Sequence, residues 1–419
     1  MVRMSLVVEI LRWSAMILTV AVTPLLLWQT VVGIMGLLPM KKRKKVENKV
    51  HRFAVVICAR HEQAVIGNLI DSLHAQNYPR EAFTVFVIAD NCTQDDTAGE
   101  ARRHGAVVYE RFNTEKIGKG YALRWALDRI QTDYPDAFDA VAIFDADNLA
   151  APDFLARTND GLCSGADVTK GYRDCKNPYD TWVSEAYAIY WMMLMRFFHR
   201  ARYNCGMSCQ VDGTGFAFKL SAIAQTGWDT HTLTEDCEFS IQQVCAGRTI
   251  IPVYDAVFYD EQPVGWGMSL RQRYRWVVGA AQCNRDYLPT LFRSLKIRSW
   301  SVVDMTIYML CIPAIALMLL GSALGLLALL LNPGTVFMAV LGLCGSALWC
   351  WVSMSAMALL LVLLEKKSVR KLWKGILLYP VFLLPMAYMT AAAWIHPKAE
   401  WKPIAHTRSE SIHDMVKSG

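Results

Sequence analysis

An α/β domain with a mostly parallel sheet flanked by helices, and transmembrane helices at both ends of the chain, is what the sequence predicts. Three observations carry that prediction. From residue 53 to about 163, short β-branched runs alternate with amphipathic stretches, the pattern of strands and helices laid around a parallel sheet. Long apolar runs stand on either side, at residues 13–38, 305–331, 335–364 and 376–395, and each is long enough to span a bilayer. Hydrophobic residues make up 54% of the chain, more than a globular surface carries, so part of it belongs in lipid.

The first run is too long for a signal-peptide core and has no small-residue cleavage site, so residues 1–40 read as an uncleaved anchor. Lys41-Lys42-Arg43-Lys44-Lys45 follows directly, and a cationic block at the end of a span favours the cytoplasmic side. The domain at 41–283 is therefore expected in the cytosol. Its strands are expected at 53–59, 83–89, 106–109 and 140–144, its helices at 64–75, 95–104 and 119–130, and a late strand at 247–253. Residues 284–301 mix Arg285, Arg293, Lys296 and Arg298 with Leu288, Leu291, Phe292 and Leu295, which suits a helix lying on the membrane. The transmembrane region at 302–395 then holds about three spans, the first two joined by the tight turn Asn332-Pro333-Gly334. Pro380 and Pro385 interrupt the last run. Strict alternation puts the tail at 396–419 outside, whereas a proline-broken re-entrant segment returns it to the cytosol.

The net charge of +6 is modest and the cations gather near the ends of apolar runs, so the lipid bilayer is the implied partner and nucleic acid is not. Twelve cysteines occur without a C-x-x-C pair, which signals neither a zinc site nor a disulfide framework. Reduced thiols in a cytosolic domain fit them best.

In open α/β sheets ligands gather at the carboxyl ends of strands, and three expected strands end in polar clusters: Arg60-His61-Glu62, Asp90-Asn91 and Asp145-Ala146-Asp147. Asp145 and Asp147 offer paired hard oxygens for Mg²⁺ or Mn²⁺, although acidic pairs are also common in solvated turns. A carboxylate at the strand terminus, as at Asp90, can accept from a uracil N–H. Lys116-Ile117-Gly118-Lys119-Gly120 reads equally as a phosphate-facing loop and as a glycine turn. Thr234-Glu235-Asp236 fits a helix N-cap with acids in the first turn. Gln272, Arg275 and Trp276 lie at i, i+3 and i+4, one face of a helix. There an amide and a guanidinium can hold a diphosphate while the indole meets a sugar ring, and the same residue types also suit the headgroup level of a membrane.

The order Asp145-Ala146-Asp147, Thr234-Glu235-Asp236 and Gln272-Arg273-Tyr274-Arg275-Trp276, followed by long apolar segments, resembles the membrane-bound members of glycosyltransferase family 2. That group contains cellulose, hyaluronan and poly-N-acetylglucosamine synthases. The resemblance implies a GT-A nucleotide-sugar-binding domain and inverting transfer from a UDP-sugar. It implies that Asp147, with Asp145, holds the divalent ion on the diphosphate and that Asp236 is the general base. Asp90, Lys119 and Glu235 would then lie at the donor, Gln272 and Arg275 at the diphosphate and Trp276 at the acceptor. The Gln-x-x-Arg-Trp motif accompanies polymerising members, so a growing β-linked polysaccharide is the expected product. Four spans are fewer than polysaccharide channels of the family use, which keeps transfer of one sugar to a lipid, as in ceramide glucosyltransferases, as the alternative. A non-catalytic scaffold or transporter is the reading from another class, but a transporter tends to carry ionisable residues inside its spans and these runs lack them. Residues 400–404 resemble a tail found after the last span in related bacterial transferases. Nothing in these motifs speaks to accessory export subunits.

Overall fold

The computed structural model describes residues 2–395, 397, 410–412 and 415, so residues 400–404 lie outside the described residues. Helix α1 (Val2–Ile34) opens the chain. The basic block after it lies against the sheet domain: Lys41 N donates to Asn204 Oδ1, Arg43 Nη1 to the Pro252 carbonyl, and Lys45 pairs with Asp160 at 2.6 Å. The basic block is thus held against the sheet domain by its own cations.

Among the described residues eight strands form one sheet in the order β3-β2-β1-β4-β7-β6-β8-β5. Strands β1 (Phe53–Ala59), β2 (Phe83–Asp90), β3 (Val107–Arg111) and β4 (Ala140–Asp145) are mutually parallel. Helices α2 (Ile66–His74), α3 (Thr97–Arg103) and α4 (Lys119–Asp133) connect them. The strands are apolar on both faces because both faces are covered. Val56, Ile88 and Ile143 pack with Ala122, Leu123 and Ala126 of α4, while Val55, Ile57, Val87 and Phe144 pack with Leu69 and Ile70 of α2.

The second half of the sheet is mixed. After β5 (Leu149–Ala150) and α5 (Phe154–Leu162), strand β6 (Val168–Cys175) pairs antiparallel with β7 (Phe216–Lys219), which pairs antiparallel with β4. Strand β8 (Ile250–Asp260) runs parallel to β6 and extends well beyond the expected 247–253. The apolar pattern did not mark β6, since Lys170, Arg173 and Asp174 interrupt it.

Between β6 and β7, α6 (Trp182–Met193), a π-helical stretch (Leu194–Arg200) and α7 (Ala201–Asn204) follow one another without a break. Helix α8 (Glu235–Cys245) precedes β8, and α9 (Trp266–Ser294) follows it. Helix α9 carries both the Gln272 to Trp276 stretch and most of the basic amphipathic stretch, and it runs unbroken through residue 284. Asn284 is buried there and donates to the Met309 carbonyl. Helices α10 (Trp300–Leu330), α11 (Val336–Leu364) and α12 (Trp373–Ile395) follow. Among the described residues, four segments are long and apolar enough to cross a membrane: Leu6–Leu37, α10, α11 and α12.

Helix α10 begins ahead of the expected run and so includes Asp304, an ionisable residue buried among helices. Its Oδ2 accepts from Arg202 Nε at 2.7 Å and its Oδ1 from Trp28 Nε1 at 2.8 Å, while Arg202 Nη2 donates to Gln29 Oε1 at 2.7 Å. Both charged side chains are 3% exposed, so either one alone would be an uncompensated buried charge. Arg202→Met or Asp304→Leu alone should cost about 3–5 kcal/mol, and the double replacement should recover most of it. Thermal unfolding in detergent micelles measures this, with single and double variants of equal stability counting against the assignment.

Candidate active site

The carboxyl ends of β1, β2 and β4 open into a cavity of about 870 Å³. It brings together Asp90, Lys119, Asp145, Asp147, Glu235, Asp236, Gln272, Arg275 and Trp276, every site residue singled out in the sequence. Apolar Leu194, Phe198, Ile312, Ile315 and Met386 line the same cavity. It therefore reaches α10, one of the membrane-length helices.

Each polar side chain has a definite station. Asp145 ends β4, and Lys119, the first residue of α4, donates to its Oδ1 and to the Gly213 carbonyl at 2.6 Å. Burial opposes the charge on Lys119, but Asp145 and Glu235 outweigh it and hold its pKa above the ordinary lysine value. The ammonium of the glycine loop is thus engaged by carboxylates. Asp147 Oδ1 accepts from Asn148 Nδ2 at 3.1 Å, and the same amide donates to Asp260 at 2.8 Å. Asp90 is buried and its Oδ1 is taken by Arg111.

Thr234 stands at the N-cap of α8, yet its side chain makes no capping bond; its Oγ1 lies 3.6 Å from Cys283 Sγ. Asp236, in the first turn, is pushed up to about 7 by burial and by the neighbouring charges of Glu235 and Asp212. A carboxylate at a cavity wall with that proton affinity is suited to accept a proton near neutral pH. Gly213, at φ +81°, lets the backbone pass close by: a methyl on it would stand 3.6 Å from Asp236 Oδ2.

On α9, Gln272 Oε1 accepts from Tyr187 at 2.9 Å, leaving its amide N–H groups for other partners. Arg275 Nη1 donates to the Leu233 carbonyl at 3.2 Å. Trp276 stands in an aromatic group, 6.4 Å from Tyr190 and nearly parallel to it, and 5.8 Å from Trp191.

Sequence reasoning missed Arg173, His199, Asp212, Asp260 and Gln262. Arg173 lies 3.9 Å over the Trp191 ring, donates to the Asp212 carbonyl and faces Asp260 at 3.6 Å. Fully buried His199, on the π-helical stretch, bonds through Nε2 to Asp212 Oδ2 at 2.6 Å. Burial works against charge on Asp212, but His199, Lys170 and Arg173 overcome it and bring its pKa down to about 2. The π-helical turn, a feature enriched at functional sites, has no signature in sequence. These residues meet only through the fold.

Hard oxygens are the right donors for a divalent ion, and Asp145 and Asp147 supply them from one strand end. Among the described residues no group of three or more His, Cys, Asp or Glu could hold a metal alone. Two carboxylates at one strand end fit part of the oxygen shell of such an ion.

The sheet, with the cavity at its strand ends, has the GT-A glycosyltransferase fold, and the comparisons agree. The chain belongs to the glycosyltransferase-like family 2, whose family model matches residues 51–279. Its relatives include the beta-monoglucosyldiacylglycerol synthase of Nostoc sp., 24% identical over 67% of this chain and 59% of that one. A probable glucomannan 4-beta-mannosyltransferase of Oryza sativa is 26% identical over 46% of this chain and 35% of that one. This chain thus spans about three fifths or less of the length of these relatives. Among solved structures, the mannosyltransferase of Pyrobaculum calidifontis in complex with GDP-Man and Mn²⁺ is similar at a TM-score of 0.57 and 20% identity, covering 91% of this chain and 99% of that one.

The raised proton affinity of Asp236 has a testable sign. Because folding moves this carboxyl from 3.8 up to about 7, its contribution favours the folded state below 3.8 and is lost as the pH rises toward 7. Carboxyl titration by NMR should place its midpoint near 7, and Asp212→Asn, by removing a repelling charge, should lower that midpoint. A midpoint near 4 in the wild type would refute the environment described.

Proposed function

We propose that this chain is a membrane-bound inverting glycosyltransferase that moves one sugar from a nucleotide sugar, a UDP-sugar in the first instance, to a hydroxyl of a lipid acceptor. The observation that carries this reading is the continuity of one cavity from the carboxylates at the strand ends to Ile312 and Ile315 of α10. A hydroxyl on a lipid headgroup fits the polar lining while its chain fits the apolar lining, so both are used by one molecule. The name of the Nostoc relative points the same way.

In this mechanism Asp145 and Asp147 would hold Mg²⁺ or Mn²⁺ at the donor diphosphate, and the ion would supply positive charge against the leaving group. The free N–H groups of Gln272 and Arg275 bind diphosphate oxygens. Lys119 fixes Asp145 and the Gly213 loop, and Glu235 fixes Lys119 in turn at 3.7 Å. Asp90 borders the nucleotide base. Asp236 takes the acceptor proton as that oxygen attacks the anomeric carbon. The new carbon–oxygen bond forms as the bond to the diphosphate breaks on the opposite face, so the configuration inverts and the nucleoside diphosphate leaves. Trp276 and Tyr190 form the wall against which the acceptor headgroup rests.

Polymer synthesis is the second reading, and the aromatic group of Tyr187, Tyr190, Trp191 and Trp276 favours it, because sugar rings stack on such surfaces. The Lys41 to Lys45 block supports a cytosolic catalytic domain in either case.

Membranes containing the protein, given a panel of radiolabelled UDP- and GDP-sugars, distinguish the two. The lipid reading expects label in an organic extract as a single added sugar even under excess donor, while water-insoluble chains of many sugars would overturn it. Asp236→Asn should lower turnover by about 10² to 10⁴ while leaving the fold intact; near-normal turnover would remove Asp236 from the mechanism. EDTA should stop transfer and added Mg²⁺ or Mn²⁺ should restore it. Transfer undiminished in EDTA would rule out the metal role of Asp145 and Asp147.

A further inference from the structure

We infer that α12, despite its span-like length and composition, lies flat on the membrane surface with one apolar stripe in the lipid, and that the C-terminal tail stays on the catalytic side. Three independent observations lead there.

The first is what α12 packs against. At its start Gly375 N donates to Glu185 Oε2 of α6 at 2.7 Å. Midway, Phe382 lies against Tyr187 of α6 with ring centroids 4.9 Å apart. There the Arg273 guanidinium stacks at 4.0 Å on Phe382 and donates to its carbonyl. Toward its end Met389 and Ala393 pack with Val277, Val278 and Ala281 of α9. Helix α9 carries Arg271, Arg273, Arg275, Arg285, Asp286 and Arg293, and a helix with that charge does not cross hydrocarbon. A partner that follows α9 from Arg273 to Ala281 runs where α9 runs.

The second is the opposite face. Trp373, Leu377, Leu384, Tyr388 and Ile395 are exposed, and their spacing of four and seven residues puts them on one stripe. Trp and Tyr are favoured at the headgroup level. A third of the span window of α12 is buried in protein, against 11–17% for the other three candidate spans, so α12 is the most protein-covered of the four.

The third is where the chain enters and returns. Before α12, Glu365 pairs with Arg196 at 2.6 Å and Lys367 with Asp174 at 2.7 Å, which fixes the entry on the catalytic side. After α12, Ile412 and Met415 pack with Leu149 and Tyr259 of the sheet, which puts the tail on that same side. The intervening sequence, with Pro397, Lys398, Glu400, Lys402, Pro403 and Arg408, holds no second apolar run to bring the chain back across. A crossing α12 would strand the tail on the far face.

Only α1, α10 and α11 then cross, and α12 forms a ledge whose Met386 and Thr390 line the catalytic cavity. The inference does not depend on the acceptor, so it survives whichever product is found.

Two measurements on the full-length protein test it. Spin labels attached through a genetically encoded ketone residue, which spares the native cysteines, are placed singly at positions 377, 384, 388 and 395 in bilayers. A flat helix gives one shallow depth at all four positions. A span gives depths that change steadily over the ~27 Å from 377 to 395, and that result overturns the inference. Separately, an epitope after Gly419 is compared in intact cells with one inserted at the Asp136 turn of the catalytic domain. Accessibility from the same side supports the tail assignment, and accessibility from opposite sides refutes it.

Discussion

The buried pair of Arg202 and Asp304 is the joint on which the arrangement of domain and membrane depends. Arg202 sits near the end of the continuous helical rod from Trp182 to Asn204, Asp304 sits in α10, and Gln29 and Trp28 of α1 complete the contact. Desolvating two charges is costly, so the pair is tolerated only with its hydrogen bonds in place, and those come from three separate elements. The same rod meets the loop after α11 through Arg196 and Glu365, and the cavity wall through His199 and Asp212. One stretch of helix thus positions helices of membrane-spanning length and the cavity carboxylates together.

That joint explains why a polar cavity and an apolar one are continuous. A sheet floating free of the bilayer would present its strand ends to water. Here the rod supplies Leu194 and Phe198 to the cavity while α10 supplies Ile312 and Ile315, so the strand-end carboxylates look directly into an apolar enclosure. Crowding of acids in such a place raises the proton affinity of those without a cation. Asp236 illustrates this, pushed up to about 7 by burial, Glu235 and Asp212. Asp212 moves the other way because His199, Lys170 and Arg173 surround it. Two aspartates of one cavity are thereby separated in proton affinity by what each faces, the arrangement from which acid–base roles arise.

Parts of this were legible in the chain itself. Strands β1, β2 and β4 are covered on both faces, so each shows as an unbroken apolar run and was found nearly to the residue. Strands β6 and β7 were not, because the polar side chains of β6 serve the cavity and β7 is only four residues long. The cluster of Asp145, Asp147, Asp236, Gln272, Arg275 and Trp276 at one cavity was anticipated by motif order. His199 and Asp212 were not, since neither stands in a pattern that marks it.

What the sequence by itself determined is whatever a local pattern can encode: the alternation that makes the α/β sheet, the apolar lengths that suit a bilayer, and the acids placed at strand ends. The tertiary structure alone decided that α9 runs unbroken through Asn284, because a buried amide there finds the Met309 carbonyl. It alone brought His199 to Asp212, and it alone gave α12 two unlike faces. Hydropathy counts apolar residues along a helix and is blind to which neighbour covers them. Whether an apolar helix crosses a membrane or lies on it depends on that neighbour, and the charged helix α9 is a neighbour that only folding supplies.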